Sequence, residues 1–243
     1  MNIEGKNVLV TGAARRVGRE IALAFAKKGA HILLHYRSSG EEALKTADEI
    51  KSAGVRCRVF QADLAKVGDV QKLVQEIAQA RLAVDILINS ASLFYKTPLK
   101  DTSEHDFDEL MNANFKGPFF LSKEIGGQMA RANGGRIINI ADWSGLRPYK
   151  DYAAYCASKG ALVTFTKSLA RELAPKVTAN AIAPGPVLLP EDFTSGEKEA
   201  IEKLTLVGRI GSPSDVAHAA VFLAESDFIN GTMLVVDGGR SLV

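Results

Sequence analysis

The 243 residues are enough for one large domain with a shared core, and we expect residues 1–243 to form a single one. A formal charge of +2 and an ordinary composition, with 47% hydrophobic and 24% charged residues, give no indication of a nucleic-acid or membrane-surface partner. No apolar run approaches the roughly 20 residues of a membrane span, so we expect no membrane partner at all.

Short apolar segments alternate with helical segments along the whole chain. We predict strands at residues 8–10, 31–36, 55–61, 85–89 and 135–140, and near 177–182 and 233–236. We predict helices at residues 16–28, 41–52, 67–80 and 153–173, and one from about 103 toward 130 that bends near Gly117-Pro118. An irregular segment from 184 to about 197 and two more helices precede the last strand. Because the strands are nearly all apolar, the pattern predicts a Rossmann-like, doubly wound α/β fold: a parallel sheet of about seven strands with helices on both faces.

Cysteine and histidine form no metal-ligand pattern in this sequence. Cys57 and Cys156 lack the spacing of metal ligands and cannot form a disulfide framework. The four histidines are scattered: His31, His35, His105 and His218. We therefore expect no metal site, and a reducing, cytoplasmic location fits the cysteine content best.

The turn after the first strand has the features of a nucleotide-phosphate site. Gly12 would permit a tight turn, Gly18 would let the first helix approach the sheet, and free amides at the helix N-terminus would bind a diphosphate. Two glycines alone also fit a plain strand-to-helix turn. The position after the first strand, with a later strand ending in the segment 89–92, favours the nucleotide site.

The end of the second strand predicts which dinucleotide binds. An NAD site usually carries a carboxylate there, whereas this strand ends in His35, Tyr36, Arg37 and Ser38. Guanidinium groups suit a 2′-phosphate, so Arg15, Arg16 and Arg37 favour NADP(H), although some of them could simply be solvated. Asp63, after the third strand, either accepts a hydrogen bond from the adenine amine or caps the following turn.

Tyr155 and Lys159 are four residues apart in the helix predicted at 153–173, which places both side chains on one helix face. A cation beside a phenol favours the phenolate, so the pair can move a proton near neutral pH. The alternative is an interfacial tyrosine with a solvated lysine. Asp142, thirteen residues before Tyr155, is either a third member of this group or a cap for the turn near Trp143. Trp143 and Tyr149 either shape the pocket or seal it.

Together these motifs resemble the short-chain dehydrogenase/reductase family over essentially the whole chain. The shared features are the Thr-Gly turn at residues 11–12, Asp63, the segment 89–92, Asn114, Tyr155 with Lys159, Pro184-Gly185, and the segment 237–239. The resemblance implies an NADP(H)-dependent oxidoreductase. It assigns cofactor contacts to Gly12, Arg15, Arg16, Val17, Gly18, His35, Tyr36, Arg37, Ser38, Asp63, Leu64, Asn89, Ser90, Ala91, Ser92, Tyr155, Lys159, Pro184 and Gly185.

Two departures from the family pattern narrow the resemblance further. Arg16 stands where most members have glycine, and Asp142 stands where most have serine. Both residues are similar to those of the pteridine reductase branch, which includes bacterial dihydromonapterin reductases. The segments 34–38, 92–99 and 237–242 also resemble that branch. The implied activity is NADPH-dependent reduction of dihydropterins, with dihydrofolate as an open possibility.

The same branch implies roles for individual residues. Asp142 and Tyr155 would deliver a proton, Lys159 would hold the nicotinamide ribose, and Asn114 would anchor a water that resupplies protons. A flat pterin could lie against the ring of Phe94, which could instead be ordinary core. Two further substrate contacts are implied, with Arg16 at an electron-rich pterin edge and Ser92 near both cofactor and substrate.

Two other functions remain open at this point. A 3-oxoacyl-thioester or other carbonyl reductase fits the general family features equally well, and only Arg16 and Asp142 argue against it. A non-catalytic NADP(H)-binding sensor would keep the nucleotide turn but would not need Tyr155, Lys159 and Asn114. The resemblance also implies a homotetramer built on the long helices and the C-terminal strand. It further implies that residues 186–196 form a loop that covers the substrate and is mobile without ligand.

Overall fold

A computed structural model describes residues 1–189 and 194–243. Seven strands form one sheet in which every neighbouring pair is parallel, in the order β3-β2-β1-β4-β5-β6-β7. The strands are β1 Asn7–Val10, β2 His31–Tyr36, β3 Cys57–Gln61, β4 Ile86–Asn89, β5 Gly135–Ile140, β6 Val177–Pro184 and β7 Met233–Val236. The strand order reverses at β1, which pairs with β2 on one side and β4 on the other, and this is where such sheets open a crevice for ligands.

Eight α-helices connect the described strands and cover the sheet. They are α1 Arg16–Lys27, α2 Gly40–Ser52, α3 Val67–Gln79, α4 Glu104–Met111, α5 Gly117–Arg131, α6 Ala153–Glu172, α7 Ser195–Lys203 and α8 Pro213–Glu225. The fold class predicted from the sequence is confirmed. Most element boundaries agree within two residues; β6 extends two residues beyond its prediction, and α7 begins inside the segment predicted to be irregular.

The predicted bend in the long helix is a change of helix type. A π-helical segment, Asn112–Lys116, separates α4 from α5. Pro118 follows in the first turn of α5, and because it has no N–H it cannot donate a hydrogen bond to a carbonyl oxygen of the preceding π segment. The π segment turns Asn114 into the protein interior, where it is 1% exposed.

The core lies on both faces of the sheet, which explains why the central strands β1 and β4 are mostly apolar. Alternate residues of β1 point to opposite sides, so that Val8 and Val10 pack in one cluster and Leu9 in the other. The first cluster includes residues of α1 and α8, and the second includes residues of α3, α5 and α6. Among the described helices, none is long and apolar enough to cross a membrane.

Candidate active site

A cavity of about 930 Å³ opens at the carboxyl ends of the strands, next to the point where the strand order reverses. Of the predicted cofactor residues, all but Asn89 line it. The predicted substrate residues Arg16, Ser92, Phe94, Asp142 and Tyr155 line it as well. A volume at the upper end of the range for ligand pockets can hold a dinucleotide beside a small substrate.

The turn between β1 and α1 forms one wall of the cavity and requires glycine twice. Gly12 has a positive φ of 66°, and a Cβ there would lie 2.9 Å from the Cα of Ala91. A Cβ on Gly18 would lie 2.4 Å from the carbonyl oxygen of Gly12. The turn is tied to the loop after β4 because Thr11 Oγ1 accepts hydrogen bonds from the amides of Ser90 and Ala91. The first amides of α1 therefore face the cavity as anion donors.

Arg16 has a backbone conformation that glycine normally adopts. Its φ is 58°, in the left-handed region that costs a residue with a Cβ roughly 1 kcal/mol or more. Its side chain is exposed and lines the cavity, together with those of Arg15 and Arg37. Within residues 1–189 and 194–243, no ion pair involves any of these three arginines. A strained arginine and three guanidinium groups without an ion pair among the described residues are what we expect where the turn binds an anionic ligand.

Asp63 also lines the cavity, and its side chain already has two partners within the protein. Its Oδ1 accepts a hydrogen bond from the amide of Ala65 at 3.2 Å, and Lys66 Nζ lies 3.6 Å from Oδ2. The interpretation of Asp63 as a cap for the following turn is thus confirmed. The contact with an adenine amine stays a prediction, since a carboxylate can accept several hydrogen bonds at once.

Tyr155, Asp142 and Lys159 meet at the centre of the cavity wall. Tyr155 Oη donates a hydrogen bond to Asp142 Oδ2 at 2.8 Å, and Asp142 Oδ1 accepts one from the amide of Ser144 at 2.7 Å. Lys159 Nζ donates to the carbonyl oxygen of Ile140 at 3.0 Å and lies 5.7 Å from the centre of the Tyr155 ring. Asp142 therefore has both predicted roles: it caps the turn at 143–145 and binds the tyrosine.

The protonation of Tyr155 differs from the sequence-based expectation. Burial raises the pKa of Tyr155 well above its usual value, and the charge of Asp142 and its hydrogen bond raise it further. The prediction that Lys159 favours the phenolate is therefore wrong for this arrangement, because burial and the neighbouring carboxylate both favour the neutral phenol. Burial also lowers the pKa of Lys159 to about 8, against the opposing effect of Asp142. Tyr155 is a protonated phenol at neutral pH.

Phe94 forms part of the cavity wall beside Tyr155. Its ring stacks on Tyr152, with centroids 4.7 Å apart and planes 9° apart, and meets the Tyr155 ring edge-on at 4.8 Å. The residue is 48% exposed and lines the cavity, so the alternative that Phe94 is ordinary core is wrong. One ring face is covered by Tyr152, and the remaining exposure leaves aromatic surface free for a planar ligand.

Two predicted site residues lie away from the cavity. Asn89 is 2% exposed, and its side-chain amide donates to Ser122 Oγ at 2.9 Å and to Asn139 Oδ1 at 2.7 Å. The predicted cofactor contact of Asn89 is wrong for its side chain. Its partners show that it instead joins β4 to β5 and α5 through buried hydrogen bonds.

Asn114 likewise uses its side chain inside the protein. Its amide nitrogen donates to Leu93 O at 2.9 Å and Ser158 Oγ at 3.2 Å, and its oxygen accepts from the Leu93 amide and Ser92 Oγ. These four hydrogen bonds use both donors and both lone pairs, so the side chain cannot be the predicted anchor for a water. Asn114 instead positions the loop that carries Ser92 and Leu93 along the cavity.

Two residues of the site were not predicted as such. Tyr152, the stacking partner of Phe94, is the residue immediately before α6, and no sequence motif indicated its role. Arg240 lines the cavity, with its guanidinium carbon 5.4 Å from the centre of the Trp143 ring. Arg240 belongs to the segment 237–242, which resembles the pteridine reductase branch, but the sequence does not show that this C-terminal turn reaches the cavity. Trp143 and Tyr149 both line the cavity, as one alternative predicted.

The segment 186–196 was predicted to cover the substrate. Pro186, Val187, Leu188 and Leu189 line the cavity, which agrees with a position over the substrate. Residues 190–193 lie outside the described residues, and the prediction of a mobile loop falls on them.

Comparisons with known proteins decide the family. A family model described as enoyl-(acyl carrier protein) reductase matches residues 12–241. A short-chain type dehydrogenase/reductase from Picea abies is 37% identical over 97% of this chain and 92% of its own length. The chain belongs to the short-chain dehydrogenase/reductase family. The family assignment made from the sequence is thereby confirmed, and this short-chain dehydrogenase/reductase is an oxidoreductase.

Two further similarities bear on substrate and cofactor. A 3-oxoacyl-(acyl-carrier-protein) reductase from Staphylococcus epidermidis is 34% identical to this short-chain dehydrogenase/reductase, covering 96% of this chain and 98% of its own. The crystal structure of a blue fluorescent protein from a metagenomic library, in complex with NADPH, is 33% identical with a TM-score of 0.91, covering 99% of both chains. These similarities support the family. They do not show the pteridine reductase branch, which rests on the sequence motifs alone.

Proposed function

We propose that this short-chain dehydrogenase/reductase reduces dihydropterins with NADPH. The observation that carries the proposal is the 2.8 Å hydrogen bond between Tyr155 and Asp142 in the cavity wall. Hydride addition to a C=N carbon leaves charge on the nitrogen, which must receive a proton from a positioned acid. A phenol held protonated beside a carboxylate provides that proton. Dihydrofolate carries the same ring, so its reduction is part of the same proposal.

The exposed ring of Phe94, next to Tyr155, suits stacking with a flat aromatic ligand. The free surface of Phe94 can stack on a pterin, while Tyr152 supports Phe94 from behind at 4.7 Å. An aromatic stack contributes roughly 0.5–1.5 kcal/mol beyond buried area. Arg16, which is exposed and lines the same cavity, can contact the electron-rich edge of the ring. A linear acyl thioester has no flat ring that could stack on Phe94 in this way.

The residues of the cavity fit a dinucleotide. Gly12 and Gly18 keep the turn free of side chains, the first amides of α1 can hold a diphosphate, and Arg15 and Arg37 can bind a 2′-phosphate. Bound NADPH would supply the hydride. Lys159 uses one N–H on Ile140 O, which leaves two donors for the hydroxyl groups of a ribose. The NADPH complex of the metagenomic relative supports this choice of cofactor.

Proton delivery would be the task of the pair in the wall. Tyr155 holds the proton, since its pKa is raised, and Asp142 accepts the hydrogen bond that it donates. Rotation of the phenol hydroxyl toward a substrate nitrogen would transfer that proton, and the nearby carboxylate could accept the next one from solvent. Asn114 would act by positioning Ser92 and Leu93, as its saturated hydrogen bonds indicate.

A 3-oxoacyl-thioester reductase is the second candidate, and the sequence comparisons favour it. The relative from Staphylococcus epidermidis carries that activity in its name and covers nearly the whole chain. Tyr155 and Lys159 could serve a carbonyl reduction equally well. Under this candidate, Asp142 would be only the cap of the turn at 143–145.

Initial rates of NADPH oxidation at 340 nm separate these functions. Purified protein is given dihydrobiopterin, dihydromonapterin, dihydrofolate or acetoacetyl thioester between about pH 5 and 7. Turnover of a pterin without turnover of the thioester would support the proposal, and the opposite result would establish the second candidate. Tight NADPH binding with no turnover of any substrate would indicate the non-catalytic sensor instead.

Assembly into a homotetramer in the cytoplasm is part of the same proposal. Three half-buried rings form a cluster with centroids 4.6–6.0 Å apart: Phe115 in the π segment, Phe119 on α5 and Phe165 on α6. Phe222 on α8 and Phe228 beside β7 are exposed on another surface. Two apolar faces on different elements suit two interfaces between copies. Light scattering of the purified chain would give four times the 26.1 kDa monomer mass if the assembly forms.

A further inference from the structure

His35 joins three strand ends at the base of the cavity. It is only 1% exposed at the carboxyl end of β2. Its ring Nδ1 accepts a hydrogen bond from the Gly12 amide at 3.2 Å, and its Nε2 bonds to the carbonyl oxygen of Ala62, after β3, at 3.1 Å. Its own carbonyl oxygen accepts from the Ala13 amide at 2.9 Å. The glycine turn is therefore held on two sides by one residue of the neighbouring strand.

The contacts of the ring fix its charge. Because Nδ1 accepts from an amide and Nε2 faces a carbonyl oxygen, the proton of the neutral ring is on Nε2. Burial also lowers the pKa of His35 to about 4, so the ring is neutral at physiological pH. A neutral ring whose two nitrogens are both occupied has no free donor for a phosphate. The side chain of His35 therefore cannot make the predicted cofactor contact through a ring N–H, and its role at the site must be an indirect one.

We propose that His35 is a positioning residue, which holds the Gly12 turn in the shape that binds the diphosphate of the dinucleotide. The inference rests on the nucleotide site proposed above. Because the His35 ring accepts the hydrogen bond of the Gly12 amide, that amide does not bind the diphosphate. The first amides of α1 are then the donors to the diphosphate. It also holds Gly12 at a φ of 66°, from which the chain turns into the helix.

The mechanism predicts an effect on affinity rather than on fold alone. Without an acceptor for the Gly12 amide, the turn is formed in only a fraction of free molecules, and the apparent Kd rises by the inverse of that fraction. Loss of a buried acceptor corresponds to roughly a tenfold or greater effect on such an equilibrium. The ring bond to Ala62, by contrast, joins β2 to β3 and has no direct contact with the turn.

Two substitutions separate the two ring nitrogens. In His35→Asn the amide oxygen can take the place of Nδ1 and accept from Gly12, whereas in His35→Gln the amide nitrogen can take the place of Nε2 and donate to Ala62. His31→Gln is the matched control, since His31 lies at the other end of β2 and its Nδ1 accepts from the Arg56 amide. The Kd for NADPH is measured on the full chain by quenching of Trp143, the single tryptophan, which lines the cavity. Thermal unfolding of each variant is recorded alongside.

We expect His35→Gln to weaken NADPH binding about tenfold or more. His35→Asn should keep the Kd within about threefold of the wild-type value, and His31→Gln should leave the Kd unchanged. Equal Kd values for the two variants at position 35 would show that the residue is merely structural and would overturn the inference, whatever their melting temperatures. A tenfold loss in His35→Asn would overturn it too, even if His35→Gln does not fold. Failure of the wild type to bind NADPH would refute the nucleotide site itself.

Discussion

Replacing Asp142 by asparagine tests the proton-delivering pair. The carboxylate accepts from Tyr155 Oη at 2.8 Å and from the Ser144 amide at 2.7 Å, one bond to each oxygen. Asparagine has only one oxygen, so if it still caps the turn, its NH₂ group faces the tyrosine and the hydroxyl can no longer donate to it. The variant keeps the shape of the loop and loses the hydrogen bond from Tyr155.

The expected loss can be estimated from this geometry. A hydrogen bond to a charged group contributes roughly 1.5–3 kcal/mol, and a positioned general acid contributes about 10²–10⁴-fold in rate. A hundredfold fall in kcat, about 2.7 kcal/mol, lies within both ranges. Removing the charge of Asp142 also lowers the pKa of Tyr155, because that charge and its hydrogen bond are causes of the raised value after burial. The alkaline limb of the rate profile would then move to lower pH.

The assay is NADPH oxidation with dihydrobiopterin between about pH 5 and 10. We expect kcat to fall about a hundredfold in Asp142→Asn while KM changes little. Asp48→Asn, an exposed carboxylate on α2 that loses the same charge, is the control and should match the wild type. An unchanged kcat and pH profile in Asp142→Asn would refute the assignment of Asp142 to proton delivery.

Three further predictions follow from the geometry of the cavity and its base. In Arg16→Gly, relief of the positive φ should raise the melting temperature by about 2–4 °C, while loss of the guanidinium group should weaken NADPH binding about tenfold. Arg81 has a φ of 56° but lies outside the cavity, so Arg81→Gly should raise the melting temperature without changing NADPH binding. In Phe94→Leu, KM for dihydrobiopterin should rise about fivefold, whereas Phe107→Leu on α4, similarly exposed at 46%, should leave it unchanged. Acid should destabilise the fold through His35, whose pKa is lowered to about 4 from 6.5. Its stabilising effect is complete above pH 6.5 and is lost as pH falls toward 4, about 3 kcal/mol in urea unfolding. Identical acid slopes in the wild type and His35→Asn would contradict this.

The fold was predictable because it depends on local periodicity. Apolar strands alternating with helices define a parallel sheet covered on both faces, and the structure has that sheet. The start of β3 was placed two residues early, since an edge strand pairs on one side only and its pairing with β2 begins at Cys57. Val55 and Arg56 contain no information on where this pairing starts.

The site was predictable where a motif defines it and less so where tertiary distances do. The contact between Asp142 and Tyr155 followed from the resemblance and is present at 2.8 Å. The direction of the tyrosine pKa was missed, because burial and the relative distances of Asp142 and Lys159 cannot be read from spacing. The interior position of Asn89 was missed as well, because its partners Ser122 and Asn139 lie 33 and 50 residues away in sequence.

Competition between the two candidate substrates tests the central claim most directly. Wild-type protein is given limiting NADPH with equal concentrations of dihydrobiopterin and acetoacetyl thioester at about pH 6, and both products are quantified by mass spectrometry. Their ratio gives the ratio of kcat/KM values, independent of absolute rates. We expect the tetrahydropterin to be the main product. A mixture dominated by the 3-hydroxyacyl thioester would contradict it and assign Asp142 to the cap of its turn.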